Sequence, residues 1–225
     1  MALIGSFPAS ASAVFNLDFL PEFLLIGNSH SDFQPLSSLS VVTSGVQLMS
    51  ITDQSRITAL GKFDSGAILT APATAGTITS KTAFYLKLAT GRINKATTIQ
   101  GVNARVTAEN TFAASTNISN VARRAVEQSI NASANATFDN FEALFFSPTN
   151  ILRAQITFAN GYTDEYTPTE LQALYAKYHV SDREGELADL LCIDADSGAG
   201  LISQVVLFNG SGGATVVLKS DYVQL

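Results

Sequence analysis

Residues 150–179 read NILRAQITFANGYTDEYTPTELQALYAKYH, and this stretch decides the fold class. From Ile151 to Phe158 apolar positions alternate with polar ones (Leu152, Ala154, Ile156, Phe158), which predicts a half-buried strand. Asn160-Gly161 predicts a type I′ hairpin turn, because that turn needs φ > 0 at both central residues. Tyr162 to Tyr166 is then the returning strand. Thr167-Pro168-Thr169-Glu170 reads as a helix start: Thr167 as N-cap, Pro168 at the first helical position, Glu170 closing a capping box. Leu171, Leu174, Tyr175 and Tyr178 follow at i, i+3, i+4 and i+7, a narrow apolar stripe.

The same plan occurs earlier, in LSVVTSGVQLMSITDQSRITALGKF, Leu39 to Phe63. Leu39 to Thr43 predicts a strand, Ser44-Gly45 a turn, Val46 to Ile51 a second strand, and Thr52 a helix cap. Gly45 matches Gly161 at an offset of 116, and Thr52, Lys62 and Phe63 match Thr167, Lys177 and Tyr178 at 115. Strand, Gly turn, strand, Thr cap and short helix recur in order, so the chain reads as two similar units. These are roughly 1–110 and 116–225. The first unit is 1–110, a linker or crossover covers 111–137 and partly belongs to the second unit, and the core of that unit is 138–225.

Working outward, Met1 to Ala13 reads as an extended arm and Val14 to Gly27 as two strands around a bend at Pro21. Asp18 and Glu22 argue against lipid contact there, because a carboxylate at membrane depth is costly. Asn28 to Ser38 reads as a loop, Gly66 to Ala71 as a short strand, Pro72 to Thr79 as a loop and Ala83 to Ala89 as a buried strand. Thr97 to Thr107 supplies further strand, with Gly101 marking a bulge. Thr107 to Thr137 is rich in Ala, Ser, Asn and Thr, and Val121 to Glu127 reads as one or two helical turns. Phe138 to Phe146 mirrors Val14 to Ile26. Leu190 to Asp194, Leu201 to Phe208 and Ala214 to Leu218 are strand-rich runs between glycines. Many short strands with Gly and Pro turns predict an all-β chain of two jelly-roll or β-sandwich units in tandem, each with one short helix.

Composition narrows the function. Apolar residues are 46%, enough for a core, but charged residues are only 14%, against roughly 25% in ordinary soluble domains. A surface that poor in charge predicts burial against neighbours, with homo-oligomers as the outcome. Net charge is −6 and no Lys or Arg precedes Arg56, so direct nucleic-acid binding and a secretory signal are both disfavoured. The single cysteine excludes an internal disulfide framework, and no apolar run is long enough for a membrane-spanning helix.

Candidate chemistry is sparse. Ser29-His30-Ser31-Asp32 holds triad residue types, but adjacent residues of an extended chain face opposite ways, so it reads as a polar loop. His179 ends the second helix, where an imidazolium suits the dipole. Cys192 lies in an apolar run and reads as a buried small hydrophobe. Asp194-Ala195-Asp196-Ser197-Gly198 has the alternating carboxylates of a calcium loop, but Val205 stands where the bidentate glutamate belongs, so a turn is expected. Asn209-Gly210-Ser211-Gly212-Gly213 lacks the Lys and Ser/Thr of a phosphate loop and reads as a flexible turn. Asp164-Glu165 and Asp182-Arg183-Glu184 read as solvated loops. Asn117, Asn131, Asn135 and Asn209 sit in glycosylation sequons. The expectation is no catalytic residue, no cofactor-binding residue and no metal ligand.

A duplicated β-unit with low charge and no chemistry resembles a viral coat protein. Leu39 to Phe63 and Ile151 to Tyr178, each a hairpin followed by a short helix, resemble the double jelly-roll major capsid proteins of tailless, membrane-containing icosahedral phages. The resemblance is one of plan and covers most of the chain. It implies a homotrimer of two-barrel subunits forming a pseudo-hexagonal capsomer, with neighbouring capsomers, minor capsid proteins and an internal lipid membrane as partners. Half of 225 residues is short for an eight-stranded barrel with elaborate loops, so this would be a stripped-down version. The alternatives are a surface-binding module, such as a spike, receptor-binding protein or adhesin, and a β-sandwich enzyme. Absence of Trp weakens the enzyme.

Overall fold

The computed structural model describes residues 2–7, 11–28, 36–65, 69–74, 78–103, 108–113, 116–178, 190–197 and 200–225. It divides into two compact units, Met1–Ala125 with Tyr222–Leu225, and Val126–Asp221.

The first unit contains β1 (Ala2–Phe7), β2 (Ala11–Leu17), β3 (Phe23–Asn28), β4 (Ser38–Thr43), β5 (Val46–Ile51), α1 (Gln54–Ser65), β6 (Leu69–Thr74), β7 (Ile78–Lys87), β8 (Thr97–Asn103) and β9 (Ala108–Ala113). One sheet has the order β1-β9-β3-β7-β6, and the second the order β2-β8-β4-β5. Then come β10 (Val121–Ile130), β11 (Asn135–Asp139), β12 (Ala143–Phe146), β13 (Ile151–Phe158), β14 (Thr163–Tyr166), α2 (Pro168–Tyr178), β15 (Leu191–Asp194), β16 (Asp196–Ser197), β17 (Gly200–Asn209) and β18 (Thr215–Gln224). The division between the units falls within β10. Here the orders are β10-β18-β12-β15 and β11-β17-β13-β14, with the short β16 paired to β17; β10 also neighbours β5, so that β2-β8-β4-β5 and β10-β18-β12-β15 are successive parts of one eight-stranded sheet.

The two sets of strands have one topology. Reading β10, β11, β12, β13, β14, β15, β17 and β18 in place of β1, β2, β3, β4, β5, β7, β8 and β9 reproduces both sheet orders. Each set places its first, eighth, third and sixth strands in one four-stranded layer and its second, seventh, fourth and fifth in the other. That is the jelly roll, two interleaved Greek keys. The helix falls after the fifth strand in both, and among the described residues β6 and β16 are the only additions.

Alternation builds the core. In β4, Leu39, Val41 and Thr43 are buried and their neighbours half-buried; the Thr43 hydroxyl is satisfied by Thr97 Oγ1 at 3.0 Å. In the second unit Phe138, Leu144, Phe146, Ile156, Leu207 and Val217 form one cluster, joined by Leu171 of α2. Each such side chain contributes roughly 1.5–3 kcal/mol when fully buried. The helix α1 packs on β7, and α2 on β15 and β13. Burial in α1 is wider than a stripe: Ile57, Thr58, Ala59, Leu60 and Lys62 are all buried.

Several expectations are corrected. The predicted N-terminal arm contains β1, paired to β9, and the start of β2. The predicted loop from Pro72 includes the end of β6, which pairs Pro72 with Ser80. β6 is an edge strand, the place in a sheet where a proline is tolerated. Val121 to Glu127 is strand, not helical turns: Ala- and Arg-rich local preference yields to long-range pairing. The 111–137 stretch therefore holds the end of β9, all of β10 and the start of β11. Gly101 pairs in regular register with Ala13 and Leu39, so it forms no bulge. A bulge sits instead at Leu152, between Ile151 and Arg153 of β13. It turns Leu152 outward, 62% exposed, and buries Ile151.

The type I′ turn expected at Asn160-Gly161 is found instead at Ser44-Gly45. Ser44 and Gly45 have φ of 48° and 81°, the type I′ signature, with Thr43 opposite Val46. At the other hairpin only Gly161 has positive φ, at 84°. Its N–H donates to Phe158 O at 2.9 Å, and Phe158 N–H donates to Tyr162 O at 2.8 Å. That is a three-residue loop, in which only the last residue must be left-handed. No heavy atom lies within 4 Å of a Cβ built on Gly45. Gly45→Ala should therefore lose only the left-handed backbone preference, about 1–2 kcal/mol, read as a lower urea midpoint at unchanged slope.

The second helix starts as its sequence predicts. Thr167 N–H and Oγ1 donate to the Glu170 carboxylate at 2.7 and 2.8 Å, and Glu170 N–H donates to Thr167 Oγ1 at 3.4 Å. The first helix is capped by Asp53 rather than Thr52: its Oδ1 accepts from Ser55 N–H at 2.8 Å. A carboxylate serves the N-terminal dipole as well as the orphan N–H. The backbone bond from Thr167, then its hydroxyl, holds the Glu170 pKa below the ordinary glutamate value. A carboxyl lowered on folding contributes stability above its unfolded pKa and loses it as pH falls through the folded one. Hydrogen exchange in the first turn of α2 should accelerate across that acidic window. Glu170→Gln should remove that pH dependence.

Candidate functional site

Among the described residues, those singled out for chemistry are not brought together. His30, His179 and Asp182-Arg183-Glu184 lie outside the described residues. Cys192 is half-buried in β15, opposite Phe145 of β12. Asp194 Oδ1 accepts the Asp196 N–H at 3.0 Å, so this carboxylate shapes the turn into β16. Among the described residues no group of three or more His, Cys, Asp or Glu is placed to hold a metal ion. Asp164 and Glu165 belong to strand β14 rather than to a loop. None of the described helices is long and apolar enough to cross a membrane.

The glycine-rich turn is pinned, not flexible. Asn209 is buried, and its Nδ2 donates to the carbonyls of Ile130, Asn131 and Gly213 at 3.1, 3.0 and 2.8 Å. Its Oδ1 accepts from Thr215 Oγ1 at 2.9 Å. A Cβ on Gly212 would meet Asn150 Oδ1 at 2.7 Å, which explains the small residue there. The Asn209 sequon is thus buried, whereas Asn117, Asn131 and Asn135 are exposed.

One charged constellation in the first unit escaped sequence reasoning. Arg123 of β10 is fully buried, and its Nη1 donates to both carboxylate oxygens of Asp64 in α1 at 2.5 Å. Asp64 Oδ2 also accepts the Lys87 N–H of β7 at 2.8 Å, and the guanidinium stands over the Phe63 ring at 5.8 Å. The carboxylate thereby ties the helix end to two strands. Its role is structural, and the partners are 59 residues apart, beyond any local motif.

The surface features with a bearing on function are the outer faces of two topologically equivalent sheets. In β2-β8-β4-β5 the outward positions alternate with buried ones. Those of β2 are Ser12, Val14 and Asn16, and those of β8 are Thr98, Gln100 and Val102. None of the four strands carries a charged residue. Thr98 Oγ1 donates to Asn16 Oδ1 at 2.9 Å, Gln100 Nε2 to Ser12 Oγ at 3.1 Å, and Gln47 Nε2 to Ser40 Oγ at 3.0 Å. The corresponding face in β11-β17-β13-β14 is charged. Arg153 Nε lies 3.4 Å from Glu165 Oε2, its guanidinium stands 3.9 Å over the Phe208 ring, and Asp139 is exposed on β11. On the opposite, core-facing side of β14, burial and then the neighbouring Asp164 carboxylate push the Tyr166 phenol pKa up.

Strand order, helix position and the repeat of both define a double jelly roll. No family model matches the sequence, and no curated protein matches it. Among solved structures, the chain is similar to the major capsid protein P2 of bacteriophage PM2, with TM-score 0.55 and 8% identity, over 100% of this chain and 95% of that one. It also aligns with the mavirus major capsid protein, with TM-score 0.34 and 8% identity, over 99% of this chain and 86% of that one. At such identity the likeness to the phage protein shows the fold.

Proposed function

We propose that this chain is a major capsid protein, a virion component that builds an icosahedral shell from copies of itself. The observation that carries the reading is the pair of topologically identical jelly rolls, matched along the whole chain by a protein named as a major capsid protein. Each jelly roll is one barrel, the first ending with β9 and the second beginning at β10. Three copies then supply six similar barrels, and six barrels around a ring fill a pseudo-hexagonal tile. That makes the capsomer a homotrimer with heterologous contacts, which close when the rotation closes. Neighbouring capsomers, minor capsid proteins and an internal membrane complete the partners in this reading. At net charge −6 the chain is not assigned direct contact with the genome.

The chain works by contact, with no turnover. Substituting His30, His179 and Cys192 together by Ala should leave assembly intact; loss of a substrate-converting activity, with the fold retained, would overturn this point. The reading as a whole is tested by sedimentation and negative-stain microscopy of the purified full chain. The expected species is a trimer with a six-lobed outline. A monomer at all attainable concentrations overturns it.

A further inference from the structure

The outer face of β2-β8-β4-β5 has three properties that together specify an occupant. First, its four strands carry no charged residue on a chain of net charge −6, and charge enters the sheet only at β10 beyond β5. Two copies repel wherever their acidic surfaces meet, and a contact between them is least opposed where neither side brings charge. Second, its polar groups are already paired sideways. Asn16 takes the Thr98 hydroxyl, Gln100 reaches Ser12, and Gln47 reaches Ser40. Covering polar groups is costly when it leaves them without partners, and these keep theirs when water is removed. Third, Val14 is 53% exposed near the middle of β2, opposite Gln100, and offers an apolar anchor.

The equivalent face of the second jelly roll serves as an internal comparison. It has the same strand order but presents Arg153, Glu165 and Asp139 to solvent. Fold alone therefore does not demand a neutral face; only one of the two faces is suited to being covered.

We propose that a second copy of this chain packs over the β2-β8-β4-β5 face, with Val14 near the centre of the contact. This rests on the capsid reading above. Four strands about 4.8 Å apart and some six residues long present roughly 400 Å². A stable pairwise interface needs about 800 Å² per partner. The contact is thus too small to hold an isolated dimer by this face alone and gains its effect when repeated around a closed ring.

The test compares Val14→Asp with Thr137→Asp in the full-length chain. Thr137 is exposed at the middle of β11, the strand equivalent to β2. Both sites are exposed, so both variants should keep the parent melting temperature within a few degrees. By sedimentation velocity, Val14→Asp should raise the concentration for half-assembly at least about tenfold, because a charge becomes buried without a partner. Thr137→Asp should leave it unchanged. Val14→Ala, which removes only apolar contact, should raise that concentration less than Val14→Asp and so separate the buried charge from the lost anchor. If Val14→Asp assembles like the parent, or both aspartate variants lose assembly equally, the face assignment is overturned while the capsid reading stands. A parent chain that never assembles overturns both.

Discussion

Replacing Asp64 by Ala is expected to lower the unfolding free energy by about 3–5 kcal/mol, the usual effect of removing one partner of a buried ion pair. Arg123 has no exposed surface, so its charge would remain inside the first unit without the carboxylate that now takes Nη1 with both oxygens. The Lys87 N–H loses its acceptor in the same step, which adds the cost of an unsatisfied backbone donor. Stability of a whole domain is about 5–15 kcal/mol, so the variant would sit near the threshold of folding. Removing both charges tells the mechanism apart from simple loss of packing. Asp64→Leu with Arg123→Met should recover most of the loss, since a well-packed apolar pair often replaces a buried ion pair at little cost. Urea unfolding of the parent, the single and the double variant decides it. A double variant no more stable than Asp64→Ala would show that orientation of α1, rather than charge burial, is what the pair supplies.

Asn209→Leu is the second large effect, expected to cost about 3 kcal/mol from polar groups left unpaired in the interior. The side chain is nearly isosteric, so the loss reports hydrogen bonding rather than volume. The carbonyls of Ile130, Asn131 and Gly213 and the Thr215 hydroxyl all turn toward this amide. The substitution strips all four at once. Ser211→Ala, in the same turn but exposed, should stay within about 0.5 kcal/mol of the parent. Thermal unfolding of the two variants separates a pinned turn from a merely glycine-rich one. Equal stabilities for both would remove the structural role given to Asn209.

The hairpin and helix of each half were legible because their determinants are local. Period-two alternation marked β13, strands on either side of the Ser44-Gly45 turn marked β4 and β5, and a threonine followed three residues later by a glutamate produced the capping box at Thr167 and Glu170. A repeated order of such signals was enough to predict two similar β-units. Turn geometry was only half legible. A glycine marks each hairpin, but whether one or two residues become left-handed depends on the number of loop residues, which the pairing register sets.

What the sequence by itself determined is the all-β class, the duplication, the charge-poor surface and the start of α2. Each follows from residues within about ten positions of one another, from composition, or, for the duplication, from the recurrence of such local signals at an offset of 115 to 116 residues. Tertiary structure alone decided that Val121 to Ile130 is a strand, that Arg123 is matched to Asp64, that Leu152 is bulged outward, and that the neutral residues of β2, β8, β4 and β5 share one face. Those outcomes join positions as far apart as Ala11 and Asn103, 92 residues in sequence. The physical reason is that strand pairing and ion pairing gain free energy only after chain closure brings distant segments together, and no local pattern encodes which segments will meet.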